Sequence, residues 1–190
     1  LALVLLAVFA GLVAWLNLRG EAPIAADAVP ADGTPEQIAR GEYLARVGNC
    51  MTCHTTRGGR PYAGGRGIAT PFGTVYAGNL TPDDDTGIGR WTNADFWRAL
   101  HHGRSRDGHR LIPAFPYPSF TQVTREDADA LHAYLRSLPP VRQANRAHAL
   151  RWPYGSPVAL AVWRALYFRP GPEDITNAVD PNRGPEWNRG

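Results

Sequence analysis

Sulfur is scarce in this sequence. It holds two cysteines, Cys50 and Cys53, and one methionine, Met51. There is no second cysteine pair, so a four-ligand zinc site is excluded as a use for the first. Basic runs are missing as well. The formal charge is only +3, no run of basic residues occurs, and neither a zinc-finger pattern nor a single-strand-binding module is present. Nucleic-acid binding is therefore not expected. No dinucleotide-binding fold and no substrate-oxidising constellation is legible either. Long apolar runs reduce to one. The first eighteen residues, LALVLLAVFAGLVAWLNL, carry no charge and end at Arg19.

A helix of that length spans about 27 Å, enough for a thin bilayer. Trp15 and Arg19 stand where interfacial anchors would stand. The expectation is a transmembrane helix over 1–18. A cleaved signal peptide and a buried helix are the alternatives. Residues 19–34 are small, polar and proline-containing, and read as a periplasmic linker. The whole chain has 190 residues, the size of one or two domains, with 20 glycines and 17 prolines. That composition favours short helices joined by many loops.

The globular part begins at TPEQIARGEYLARVG. Thr34 caps a helix, Pro35 suits its first turn, Gln37 completes a capping box, and Gly48 ends it. Then comes GNCMTCHTT. Cys50, Cys53 and His54 form C-x-x-C-H, the attachment pattern of a c-type haem. Two thiols at this spacing reach two vinyl groups, and the adjacent imidazole coordinates the iron from the proximal side. A thioredoxin-like pair lacks its strand-rich context here, and a disulfide would leave the histidine without a role. Covalent attachment places the domain outside the cytoplasm, so the anchor is expected to run N-in across the bacterial inner membrane.

From about Pro35 to Val141 the chain resembles the haem domains of membrane-bound multihaem cytochrome c subunits of bacterial alcohol, aldehyde and related dehydrogenases. The likeness is carried by RGEYLARVGNCMTCHT, by GGRGIATPFGTVYAGNLTPDDDTGIGRWTNADFWRALHHG, and by IPAFPYPSFTQVTREDADALHAYLRSLPPV. It implies an all-α class I cytochrome c domain over 35–141 with a loop-rich haem pocket, preceded by the transmembrane helix. It also implies one covalent haem c in this chain and further haems in a longer one. The implied partners are a periplasmic dehydrogenase subunit, other cytochromes or a terminal oxidase, and membrane lipid. The role is electron transfer by a non-catalytic subunit. A haem-based module binding gas or another small ligand is the alternative.

Ile68, Phe72, Val75, Tyr76 and Leu80 are expected to wall the porphyrin, with Arg66 or Asn79 meeting a propionate. Thr92 and Thr124 cap two further helices. The final one, ended by Pro139 and Pro140, is expected to cross the first near Tyr43. The resembling cytochromes carry methionine in a P-A-M-P-Y loop. Here the loop reads IPAFPY, and Phe115, which has no lone pair, occupies that slot. Met51 sits on the attachment side. A histidine is favoured as the sixth ligand, with His102 and His109 as rivals, and His101, His132 and His148 further candidates. Open iron and a ligand from another chain remain alternatives. Residues 142–190 hold an aromatic helix begun by Ser156 and Pro157, with Val158, Ala161, Val162, Ala165 and Leu166 on one face. The final PEWNRG echoes PEQIARG at 35–41, the start of another such domain.

Overall fold

The computed structural model describes residues 1–18, 32–171, 180 and 182–184. Seven helices and three short strands follow in the order α1 (Ala2–Leu18), α2 (Pro35–Val47), α3 (Cys50–His54), β1 (Gly67–Thr70), β2 (Gly73–Tyr76), α4 (Asn93–His102), α5 (Tyr117–Phe120), α6 (Arg125–Ser137), β3 (Ala149–Leu150) and α7 (Pro157–Tyr167). Most of the expected linker and the terminal PEWNRG lie outside the described residues.

Local signals set the helix starts. The Thr34 hydroxyl accepts from the Gln37 N–H at 3.2 Å, and the Gln37 side chain accepts from the Thr34 N–H at 3.0 Å. Thr92 and Asp95 repeat this reciprocal cap inside the protein. Thr124 and Ser156 cap α6 and α7 through Asp127 and Ala159. Each such cap stabilises a helix by about 1 kcal/mol. Asp127 also accepts two bonds from Arg40, at 3.0 and 3.2 Å, which fastens the start of α6 to α2.

α2 and α6 cross near Tyr43, as expected, with their closest approach at Gly41; Tyr43 itself is exposed. A Cβ on Gly41 would stand 1.9 Å from the Ala130 carbonyl oxygen and 2.8 Å from the Tyr134 Cβ. The two backbones therefore meet with no side chain between them. Beside this crossing lies one core cluster of Ala45, Tyr62, Ile88, Phe96, Trp97, Leu100, Ala128, Leu131 and Leu135. Leu44, Cys50, Leu80, Trp91, Phe115 and Phe120 border it.

Two expectations need correction. The fold is mostly helical but not all-α: β1, β2 and β3 form a small antiparallel sheet in that order, with Ile68 opposite Val75 and Thr74 opposite Ala149. The hairpin turns through Gly73 at φ 126°, where a Cβ would lie 2.3 Å from the Ala149 carbonyl oxygen. Only glycine suits that backbone and that approach of β3. The N-terminal transmembrane helix is the second correction. Among the described residues no helix is long and apolar enough to cross a membrane. α1 runs over 17 of the described residues. Its last turn is built into the protein. Asn17 is buried, donating to the Ala161 carbonyl of α7 at 2.9 Å and accepting from Arg104 and Arg110.

α7 forms where Ser156 and Pro157 announce it, yet it buries a different face. Leu160, Arg164 and Ala165 are buried with Phe168 just beyond, while Val158 and Leu166 are exposed. The Arg164 guanidinium donates to the His102 carbonyl and stands 4.5 Å over the Phe168 ring. An arginine reads as a surface residue in the sequence, but here it satisfies the C-terminal end of α4.

Candidate haem site

Asn49 adopts a left-handed backbone, φ 54°, and turns the chain from α2 into α3. The single turn of α3 then holds Cys50, Cys53 and His54 together. Both thiols are free; Cys50 borders the core and Cys53 is exposed. Burial pushes the Cys50 thiol pKa up and keeps it protonated. His54 Nδ1 lies 2.8 Å from the Gly78 carbonyl oxygen. A carbonyl only accepts, so Nδ1 carries the hydrogen and Nε2 keeps the lone pair. Burial lowers the His54 pKa, against the opposing pull of the Gly78 bond, and the ring stays neutral. A neutral imidazole with one nitrogen anchored and the other bearing its lone pair is the arrangement of a metal-bound histidine. The backbone locks around it: the His54 carbonyl accepts from the Gly64 N–H at 2.7 Å, and Thr55 Oγ1 accepts from the Tyr62 N–H at 3.0 Å.

Among the described residues no three histidine, cysteine or carboxylate groups gather into a cage for a bare metal ion. One directed imidazole beside two thiols would instead suit an iron that brings its remaining donors with a macrocycle, held by His54 through the iron and by Cys50 and Cys53 through the macrocycle. Two thiols on one turn beside a directed imidazole, at the edge of an apolar cluster, suit haem c.

Of the expected porphyrin wall, Leu80 borders the same cluster as Cys50. Ile68 and Val75 pair across the hairpin, Phe72 lies against Tyr154 with centroids 4.5 Å apart, and Tyr76 lies under Arg146. Sequence reasoning did not single out Ile88, Trp91 or Phe120, which are brought to the cluster. Tyr62 was also missed. Its ring is buried edge-on to Tyr134 at a left-handed φ of 59°, and no local signal announces that conformation. Arg66 is exposed. The Asn79 amide is committed elsewhere, donating to the Val141 carbonyl at 2.8 Å and to Thr86 Oγ1 at 3.1 Å while accepting from the N–H and hydroxyl of Thr81. That leaves it no donor for a propionate.

Phe115 borders the cluster and stacks on Phe120, centroids 5.4 Å apart. A Cβ on Gly48 would lie 3.5 Å from Cys50 Sγ and 4.0 Å from the Phe120 ring, so the two phenylalanines stand on the Cys50 side of the core. The structure does not bring the rival histidines to them. His102 is buried, with Nε2 3.3 Å from Nδ1 of His101, and His101 in turn stacks on Trp97. Burial and then the His101 charge lower the His102 pKa to about 4. His109 is exposed and tied to Asp107 at 2.5 Å. His132 bonds Asn93 and stacks on Phe96, and His148 accepts from the Tyr76 N–H. Met51 is half exposed on the outer side of α3. The 20 basic residues are all arginine, so no lysine is available as a ligand either.

The sequence pattern of the family described as cytochrome c matches residues 38–139. This chain belongs to the cytochrome c family. Its curated relatives include components of bacterial oxidoreductases. The cytochrome is 46% identical over 153 residues to a nicotinate dehydrogenase subunit of Pseudomonas putida, covering 80% of this chain and 13% of that one. It is 47% identical over 131 residues to the gluconate 2-dehydrogenase cytochrome c subunit of Pantoea cypripedii, covering 68% and 30%. A diheme cytochrome c-type protein of Cereibacter sphaeroides matches at 37% over 195 residues, covering 100% and 62%. The chain thus spans less than two thirds of the length of each. It is a class I cytochrome c domain related to cytochrome c subunits of bacterial dehydrogenase complexes, and a haem c-binding module.

Proposed function

We propose that this cytochrome c domain accepts electrons from a dehydrogenase subunit on the periplasmic side of the bacterial inner membrane and passes them to another cytochrome or a terminal oxidase. The observation that carries the reading is the His54–Gly78 bond, which directs the Nε2 lone pair of a neutral imidazole beside two free thiols. In this reading Cys50 and Cys53 each add S–H across a vinyl group and hold one haem c, and His54 is the proximal ligand. Haem supplies a one-electron iron couple. The protein's part is to hold the imidazole in one tautomer, keep the apolar side dry with Leu80, Trp91 and Phe120, and leave Cys53 and its surroundings open to a partner. The names of the relatives support a dehydrogenase as donor, and their greater length supports further haem domains in a longer polypeptide. The exposed leucines and valines of α1, with Leu166 and Tyr167 of α7, support contact with the lipid surface; no crossing enters this reading.

The test is covalent haem. The protein made with a cytochrome c maturation system should keep haem staining after denaturing electrophoresis and gain the mass of one haem. Single Cys50→Ser or Cys53→Ser changes should leave one linkage, and the double change none. Haem fully extracted from the unaltered protein by acidified acetone would refute the assignment.

A further inference from the structure

We infer that Asn145 is a positioning residue for the axial imidazole: it polarises the peptide group that holds His54, and through that group lowers the reduction potential of the haem. The inference rests on the assignment of haem to Cys50, Cys53 and His54. A single peptide group, between Gly78 and Asn79, makes both of the bonds involved. Its carbonyl, on Gly78, accepts from His54 Nδ1–H at 2.8 Å. Its N–H, on Asn79, donates to Asn145 Oδ1 at 2.8 Å. The chain of bonds thus runs from the Asn145 oxygen through the peptide to the imidazole, with Nε2 at its far end. An amide whose N–H donates carries more negative charge on its oxygen, so the two bonds strengthen each other. A stronger acceptor at Nδ1 makes the ring a more basic ligand at Nε2. A more basic ligand favours the oxidised iron, which lowers the potential.

The surroundings fix this relay. Asn145 lies at the surface, but its Nδ2 donates to the Thr86 carbonyl at 3.0 Å. An N–H at one end and a carbonyl at the other leave its amide a single orientation. Asn79 is buried, so water does not readily take the place of the Asn145 oxygen on its N–H. Gly64 packs its backbone against the same peptide group. A Cβ there would stand 2.5 Å from the Gly78 carbonyl carbon and 2.7 Å from the Asn79 nitrogen, so the peptide has little room to turn. Gln143, two residues before Asn145, supplies a contrast. Its side chain donates to the Ala63 carbonyl at 2.8 Å, and the N–H of that peptide group, on Gly64, donates to the His54 carbonyl at 2.7 Å. This second chain of bonds ends on the His54 backbone and not on its ring. It holds the residue without tuning the nitrogen.

The experiment uses the purified holoprotein and reads its reduction potential by spectroelectrochemical titration at fixed pH. Asn145→Ala should raise the potential. Both side chains are uncharged, so the shift carries no change of net charge. Water admitted to the haem would favour the oxidised iron and move the potential down, so the upward direction separates the relay from a loosened loop. Gln143→Ala should lower the thermal unfolding midpoint and leave the potential unchanged. An unchanged or lowered potential in Asn145→Ala, or an equal rise in Gln143→Ala, would overturn the inference while leaving the haem assignment intact. Absence of covalent haem would instead remove the assignment beneath it. Amide exchange in the unaltered protein decides the matter even where Asn145→Ala fails to fold. Slow exchange of the Asn79 N–H supports the relay, and exchange as fast as in a free chain refutes it.

Discussion

At the scale of single residues, four histidines show how surroundings divide one side-chain type into different roles. His54 has one nitrogen anchored and one left for a ligand; His101 and His102 face each other; His132 is a structural filler. His132 yields a pH prediction. Burial, and next the nearby Arg136 charge, lower its pKa to about 4, with Asp95 opposing. The unfolded chain takes up this proton near pH 6.5. Between about pH 6.5 and 4 the unfolded state therefore binds more protons, and stability must fall as pH falls through that window. The loss from this site is on the order of 1–3 kcal/mol. Denaturant titrations at several pH values should show the decline, and His132→Gln should flatten it. An unchanged pH slope in that variant would show that His132 does not carry the effect. The C-x-x-C-H motif was legible because its chemistry is local. The Gly78 acceptor was not, since a backbone carbonyl 24 residues away leaves no mark on sequence. For the same reason Asn79 looks available for a propionate until its bonds to Thr81, Thr86 and Val141 are seen.

At the scale of elements, helices and sheet differ in how they are encoded. Thr34, Thr92, Thr124 and Ser156 each sit at a helix start and accept from the third residue beyond, a signal contained within four positions. The strands are two to four residues long and mostly glycine-bearing, too short for an alternating pattern to be read. β3 exists only because a later segment returns to β2. The crossing of α2 and α6 was expected near Tyr43, but the residue that permits it was hidden. Gly41 looks like an interruption in a helix, and its role is visible only with Ala130 across from it. Gly41→Ala should cost about 3 kcal/mol, at the upper end of overpacking, because the obstacle is backbone that cannot rotate away. Gly11→Ala in α1, where a Cβ would meet nothing within 4 Å, should not lower the midpoint. Thermal unfolding of the two variants side by side provides the check. Thr34→Ala, removing one reciprocal cap, should cost about 1 kcal/mol.

At the scale of the whole molecule, α1 and α7 are one appendage joined to the haem domain by polar bonds. Asn17 links α1 to α7 and accepts from Arg104 and Arg110 in the loop after α4, while Arg164 links α7 to the end of α4. Asn17→Ala should loosen α1, visible as faster hydrogen exchange in residues 2–18, with the haem absorption unchanged. A coupled change in haem absorption would mean the appendage shapes the pocket. The electron-transfer role expected from the sequence is carried by the relatives, while the expected membrane crossing is not met by any described helix. An uncharged run reads alike whether lipid or protein receives it; in α1 only the polar end at Asn17 is buried in the protein, while its leucines and valines stay exposed.

The stretch from Val141 to Leu150 has a practical consequence for anyone shortening this chain. The family pattern stops at residue 139, which invites a cut just after α6. Such a cut would strip the Val141 carbonyl from Asn79, the Gln143 side chain from the Ala63 carbonyl, the Asn145 amide from the Thr86 carbonyl, and the whole of β3 from its sheet. The stranded groups surround Gly78, whose carbonyl orients His54. A fragment meant to report the redox behaviour of the minimal domain would then report that of a slackened axial ligand, so the shortest faithful fragment ends beyond Leu150.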